Sequence, residues 1–302
     1  MKAFNCPTPW LGFPHGYLSD WITQRWVQFT GRRINLEQES WIRGPMGKPA
    51  GIGKNFFQEL ADEANLEIDT SSPDRGLIRD FRALASPIFD ANCVEASIID
   101  FYEHTSGYEL DAWAEWCGAF RPFGSLLAFV FSRRLQQLNV PLSALDTSYG
   151  ITSDIIQLFD KATKKIIYTA WVRQLRGSGN VLYAGSYSLC QMPQYNGHCV
   201  KVVFPLPNGN AVVIMKPEVH PDGSFSLTSA GRGFGEPGFY FVVRNANGTT
   251  SARYVRALHE AIRVYAAEDG GVRADHVLKL WGVTFLRLHY RLKKKALSPA
   301  AS

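Results

Sequence analysis

The residues best equipped for chemistry stand together at Tyr102-Glu103-His104, with Tyr108, Glu109 and Asp111 close behind. An imidazole changes protonation near neutral pH and a nearby carboxylate fixes its tautomer, so this group could act as a general acid–base pair. The competing role is structural: a positively charged ring at a helix end complements the dipole. A second histidine, His276, keeps step with Leu278 and Leu280, which predicts that it points inward from a strand. Were it to meet His259 there, another acid–base or metal site would form. His104, Glu103, Tyr102 and His276 are therefore the candidate catalytic residues.

Other motifs are missing. The seven histidines show no HxH or HExxH spacing and no CxxC companion, so no metal site is read from them. The loop at residues 44–53 (GPMGKPAGIG) has lysine at 48 where a P-loop needs its first glycine, and Asn55 follows Gly53-Lys54, so a phosphate cradle is not expected. No G-x-S-x-G elbow is present. The five cysteines are scattered, and neither Cys190 nor Cys199 has a local sign of activation. No cofactor is implied.

Eight Trp, twelve Tyr and nineteen Phe supply rings for a core and for the walls of a pocket. Trp113, Trp116, Phe129, Tyr183, Tyr187 and Phe241 are the candidate ligand-binding residues, and the expected partner is a small apolar molecule. A net charge of +5 is too small to argue for nucleic acid. Residues 121–134 (RPFGSLLAFVFSRR) have an apolar middle between arginines. They fit a buried plug better than a membrane-interface segment, although membrane contact stays open. The first ten residues lack an apolar stretch behind Lys2, and no run of eighteen apolar residues occurs, so a reducing cytoplasmic setting is expected.

These residues must be positioned by two kinds of element. Helical spacing predicts helices over 18–29, 54–66, 94–105 and 123–138. From residue 152 the period becomes two. Strand-like runs are expected at 155–159, 165–175, 181–190, 199–206, 211–215, 224–229, 238–244, 253–265, 273–281 and 284–292, with Asn208-Gly209 marking a hairpin. In the last run Leu286, Leu288, Tyr290 and Leu292 share one face, while Arg287, His289 and Arg291 share the other. So many short-looped strands predict closure or two layers. The expected fold is α+β: an N-terminal helical and irregular region, 1–90, packed on a helix-plugged antiparallel β-barrel-like sheet, 91–302.

Several phrases carry a family resemblance: FYEHTSGYELDAWAEW (101–116), FRPF and LQQLNVPL within 120–142, VVFPLPNGN (202–210), GEPGFYFVV (235–243) and ADHVLKLWGVTFLRLHYRL (274–292). The last two-thirds of the chain resembles the C-terminal region of the uncharacterised bacterial YndJ-like proteins. That resemblance implies membrane-spanning helices upstream in the relatives, where this chain has a short region without them, and it supplies no catalytic residue.

The expected function is binding of a lipid-like or aromatic molecule in a barrel cavity. One alternative is a cofactor-free isomerase, cyclase or hydratase acting on such a molecule. The other is a peripheral membrane or protein-interaction module that uses residues 121–134 and the basic tail.

Overall fold

A computed structural model describes residues 18–48, 52–70, 72, 74–118, 120, 122, 137 and 149–295. Its helices include α1 (Leu18–Thr30), α2 (Phe56–Ala64) and α3 (Ala96–Glu103), joined by single turns of 3-10 helix. Three strands lie among them: β1 (Arg32–Ile34), β2 (Leu66–Asp69) and β3 (Tyr108–Trp116). Eleven more follow: β4 (Ile151–Asp160), β5 (Ile166–Leu175), β6 (Val181–Gln191), β7 (His198–Leu206), β8 (Gly209–Val219), β9 (Phe225–Thr228), β10 (Gly238–Arg244), β11 (Thr250–Tyr254), β12 (Leu258–Ala266), β13 (Val272–Leu280) and β14 (Val283–Lys294). The protein is mostly β, with all strand ladders antiparallel.

The sheet forks at β8. Along one edge β8 pairs with β7 from Gly209 to Met215. Along the other, its first half pairs with β10 and its second half with β9, with Met215 between the two registers. One leaf therefore runs β2-β4-β5-β6-β7-β8-β10-β11-β1, and the other runs β8-β9-β12-β13-β14-β3.

The expected barrel is not formed: the sheet is open. Its path begins at β2 and ends at β3, and among the described residues no ladder joins them. β3 does come beside β4. However, β2 already occupies residues 157–160 on that edge of β4, which blocks a continuous closing ladder.

The turn between β7 and β8 centres on Pro207-Asn208 rather than Asn208-Gly209, with Asn208 at φ 57°. Gly209 opens β8 because a Cβ there would collide with the Val242 carbonyl oxygen. The glycine loop docks on this turn, where the Gly47 amide donates to the carbonyls of Leu206 and Gly209, so that amide is already used.

Residues 77–107 pack between the leaves. Phe81, Phe89, Phe101 and Tyr102 pack with Phe225, Trp171 and the inward residues of β12–β14. The first leaf is also covered on its outer face. Phe56, Phe57 and Ala61 of α2 lie over Leu158, Ala170, Val172 and Val181, while Trp41 and Ile42 lie over Val203, Val212, Ile214 and Tyr240. The outer face of the second leaf is instead polar, with Arg291–Asp111 at 2.6 Å and Arg287–Glu115 at 3.4 Å as ion pairs and His289 hydrogen-bonded to Asp275 at 2.7 Å. The helix expected over 123–138 lies outside the described residues, apart from Gln137.

Candidate functional site

Alternation along β5 sends Ala170 and Val172 to the outer cluster and Trp171, Arg173 and Leu175 inward. Arg173 stands directly opposite Tyr183 on β6, and Tyr187 follows on the same face. From the second leaf, Tyr290 of β14, Glu260 of β12 and His276 of β13 approach the same interior.

The Arg173 guanidinium lies 4.2 Å from the Trp171 ring centre, 4.1 Å from that of Tyr183 and 5.6 Å from that of Tyr290. Rings with electron-rich faces stabilise such a cation. Yet Arg173 is only 5% exposed; its guanidinium hydrogen-bonds the Tyr290 hydroxyl, while its Nε has no partner among the described residues. Glu260 is held by His276, Oε2 to Nε2 at 2.9 Å, and among the described residues Arg173 makes no ion pair.

The phenols complete the donor set. Tyr183 donates to the Tyr187 hydroxyl at 2.8 Å. Burial raises the pKa of all three tyrosines, pushing Tyr187 up to about 12, while the Arg173 charge opposes the rise. They are therefore neutral hydroxyls near pH 7. A guanidinium beside neutral hydroxyls is a donor array for a carboxylate or phosphate oxygen. His276 adds a ring oriented by a carboxylate, with both side chains nearly buried, and this arrangement can hold or pass a proton.

The structure separates the catalytic trio read from sequence. Tyr102 is buried among Phe81, Phe101 and Phe225, and burial holds its pKa far above the usual value. Glu103 accepts the Phe81 amide at 2.7 Å. His104 ends α3 and pairs with Asp74 at the surface, its side chain 42% exposed. Consecutive helical residues point about 100° apart, so sequence adjacency did not bring these three to one place. His276 does point inward, but His259 falls on the opposite parity, beside the Ser229 carbonyl, and the two do not meet.

Of the ligand-binding candidates, Tyr183 and Tyr187 line the interior. Trp113 is exposed on the outer face of β3 beside Arg291, and Trp116 is half-buried against Phe285. Phe241 meets Trp26 of α1 edge-on at 6.0 Å, and Phe129 lies outside the described residues. Sequence reading missed Arg173, Glu260 and Tyr290 as site residues. Parity held a signal for the first, since an arginine shares the inward face with Trp171 and Leu175.

Gln137 closes a gap at the site's edge. β6 and β7 are in register from Gln191↔His198 to Ser186↔Val203 and then part. There the Gln137 carboxamide donates to the Ala184 carbonyl at 2.7 Å and accepts its amide at 2.8 Å, standing in for a missing strand residue.

Comparison with known proteins adds one relative. The chain is 28% identical over 244 residues to the uncharacterized membrane protein YndJ of Bacillus subtilis (strain 168). The two are distant homologues. The match covers 80% of this chain and 41% of the relative, so this chain spans well under half of that protein's length. Among the described residues no helix is long and apolar enough to cross a membrane. No family model matches the sequence, and no solved structure matches it.

Proposed function

We propose that the interior between the two leaves receives a small molecule with an apolar body and one acidic group, and that Arg173 binds the acid. The observation that carries this reading is the buried Arg173 guanidinium, which among the described residues makes no ion pair. Desolvating a charge costs several kcal/mol unless it is paired and hydrogen-bonded. Two stacked rings offset part of that cost, and a guest carboxylate or phosphate would offset much of the rest. The surrounding Trp171, Phe204 and Tyr183 rings suit an apolar or aromatic body.

Native mass spectrometry and titration with oleate and with its methyl ester test the reading. Oleate binds and the ester binds at least about tenfold more weakly, because only the acid pairs with the guanidinium. Arg173→Met abolishes that preference. Equal binding of acid and ester, or a preference that survives Arg173→Met, refutes the assignment.

A catalytic use of the same space is favoured by one observation, the Glu260–His276 pair beside the donor array. On that reading His276→Gln leaves oleate binding intact while removing proton exchange at a bound substrate.

A further inference from the structure

Helix α1 is turned inside out. Leu18, Ile22, Trp26 and Phe29 follow a helical rhythm and fall within about 80° of arc at 100° per residue, a stripe that globular helices normally bury. Here most of it faces solvent: Ile22 is 54% and Phe29 82% exposed, while Leu18 and Trp26 are 39% exposed, Trp26 resting edge-on against Phe241 and beside the Arg253 guanidinium. The face against the sheet carries Asp20 and Gln24, each 5% exposed, with Val27. Polar contacts fix this orientation. Gln24 Nε2 donates to the Pro207 carbonyl at 3.2 Å, and Arg253 donates to the Thr30 carbonyl at the helix end.

The outward face is also basic. Arg25 projects within about 20° of Leu18 on the helical wheel. Exposed Arg32 and Arg33 follow directly on β1, with Arg32 sharing its charge with Glu39 at 3.3 Å. The helix's one acidic residue, Asp20, lies on the buried side.

We propose that this face of α1 docks on an anionic phospholipid surface. Leu18, Ile22 and Phe29 enter the headgroup–acyl boundary with the exposed part of Trp26, and Arg25 and Arg33 meet lipid phosphates. Charge complementarity selects this occupant, because an apolar stripe edged by arginines is matched by a layer that is oily beneath and negative on top. The surface is separate from the interior site, and neither proposal depends on the other.

Co-sedimentation of the full chain with vesicles at low salt tests it, comparing phosphatidylcholine alone with phosphatidylcholine mixed with phosphatidylglycerol. Binding is expected to the mixed vesicles, falling as salt is raised. Ile22→Ser with Phe29→Ser weakens it by about tenfold or more. Arg25→Gln and Arg33→Gln each weaken it by about fivefold. Without lipid, the double serine variant keeps the parent's melting temperature and sedimentation coefficient. No binding to mixed vesicles at low salt overturns the proposal, as does binding that the serine variant retains. A lower melting temperature or altered sedimentation of the lipid-free variant also overturns it, since the stripe would then already be covered by residues 1–17 or a second copy.

Discussion

The two leaves share β8 and differ in what covers them. The first has apolar side chains on both faces, because α2 and the Trp41–Ile42 turn close its outer side. The second is apolar inside and laced with ion pairs outside. Strict alternation along a strand therefore marks a face left to water, and continuous apolarity marks one that another element must cover. By the same rule α1 stands out, since its apolar residues lie where the second leaf keeps charges.

The comparison breaks most readily at Phe57, fully buried on the covered side of the first leaf. Phe57→Ala is expected to cost about 3–4 kcal/mol in urea unfolding. Val277→Thr, on the outer parity of β13, should change stability by less than about 0.5 kcal/mol. Similar costs at both positions would mean that the second leaf's outer face is covered too.

Between the leaves, Arg173→Met sharpens the contrast of a buried charge with surface pairs. Without ligand it should stabilise the protein by about 1 kcal/mol, the relief of a desolvated charge exceeding the lost ring stacking. A destabilised variant would mean that the guanidinium already has adequate partners.

The smallest effect concerns the tie between α3 and the second leaf. Burial raises the Asp100 pKa, but the Tyr108 hydroxyl and Lys294, at 2.9 Å, outweigh it and leave the pKa below the usual carboxylate value. A depressed folded-state pKa adds stability that is complete above the unfolded value and is lost as pH falls through the folded one. The side chain is partly exposed, so the gain is under about 1 kcal/mol. Asp100→Asn should flatten the acid limb of a melting-temperature profile below about pH 4. An unchanged limb would show that the contact contributes nothing.

Much of the fold was legible because strand period survives in sequence. The run at 238–244 coincides with β10, and the parity of Leu286, Leu288, Tyr290 and Leu292 is the inward face of β14. The run at 253–265 hides two elements, since β11 ends at Tyr254 and β12 starts at Leu258 with no glycine or proline between them. Closure was not legible: alternation specifies faces, whereas the partner of an edge strand depends on contacts distant in sequence. The site was legible only in Tyr183, Tyr187 and His276. Arg173 and Glu260 become site residues through the meeting of two leaves, which no local spacing encodes.

The fork at Met215 has a mechanical consequence. Because one strand belongs to both leaves, a rotation of one against the other where β8 changes partners would leave the remaining ladders intact. The facing edges of β3 and β4, unjoined by backbone bonds, would swing apart most. Entry to the interior by that route would break side-chain packing and no strand pairing, so its rate should track the size of the guest more than the stability of the sheet.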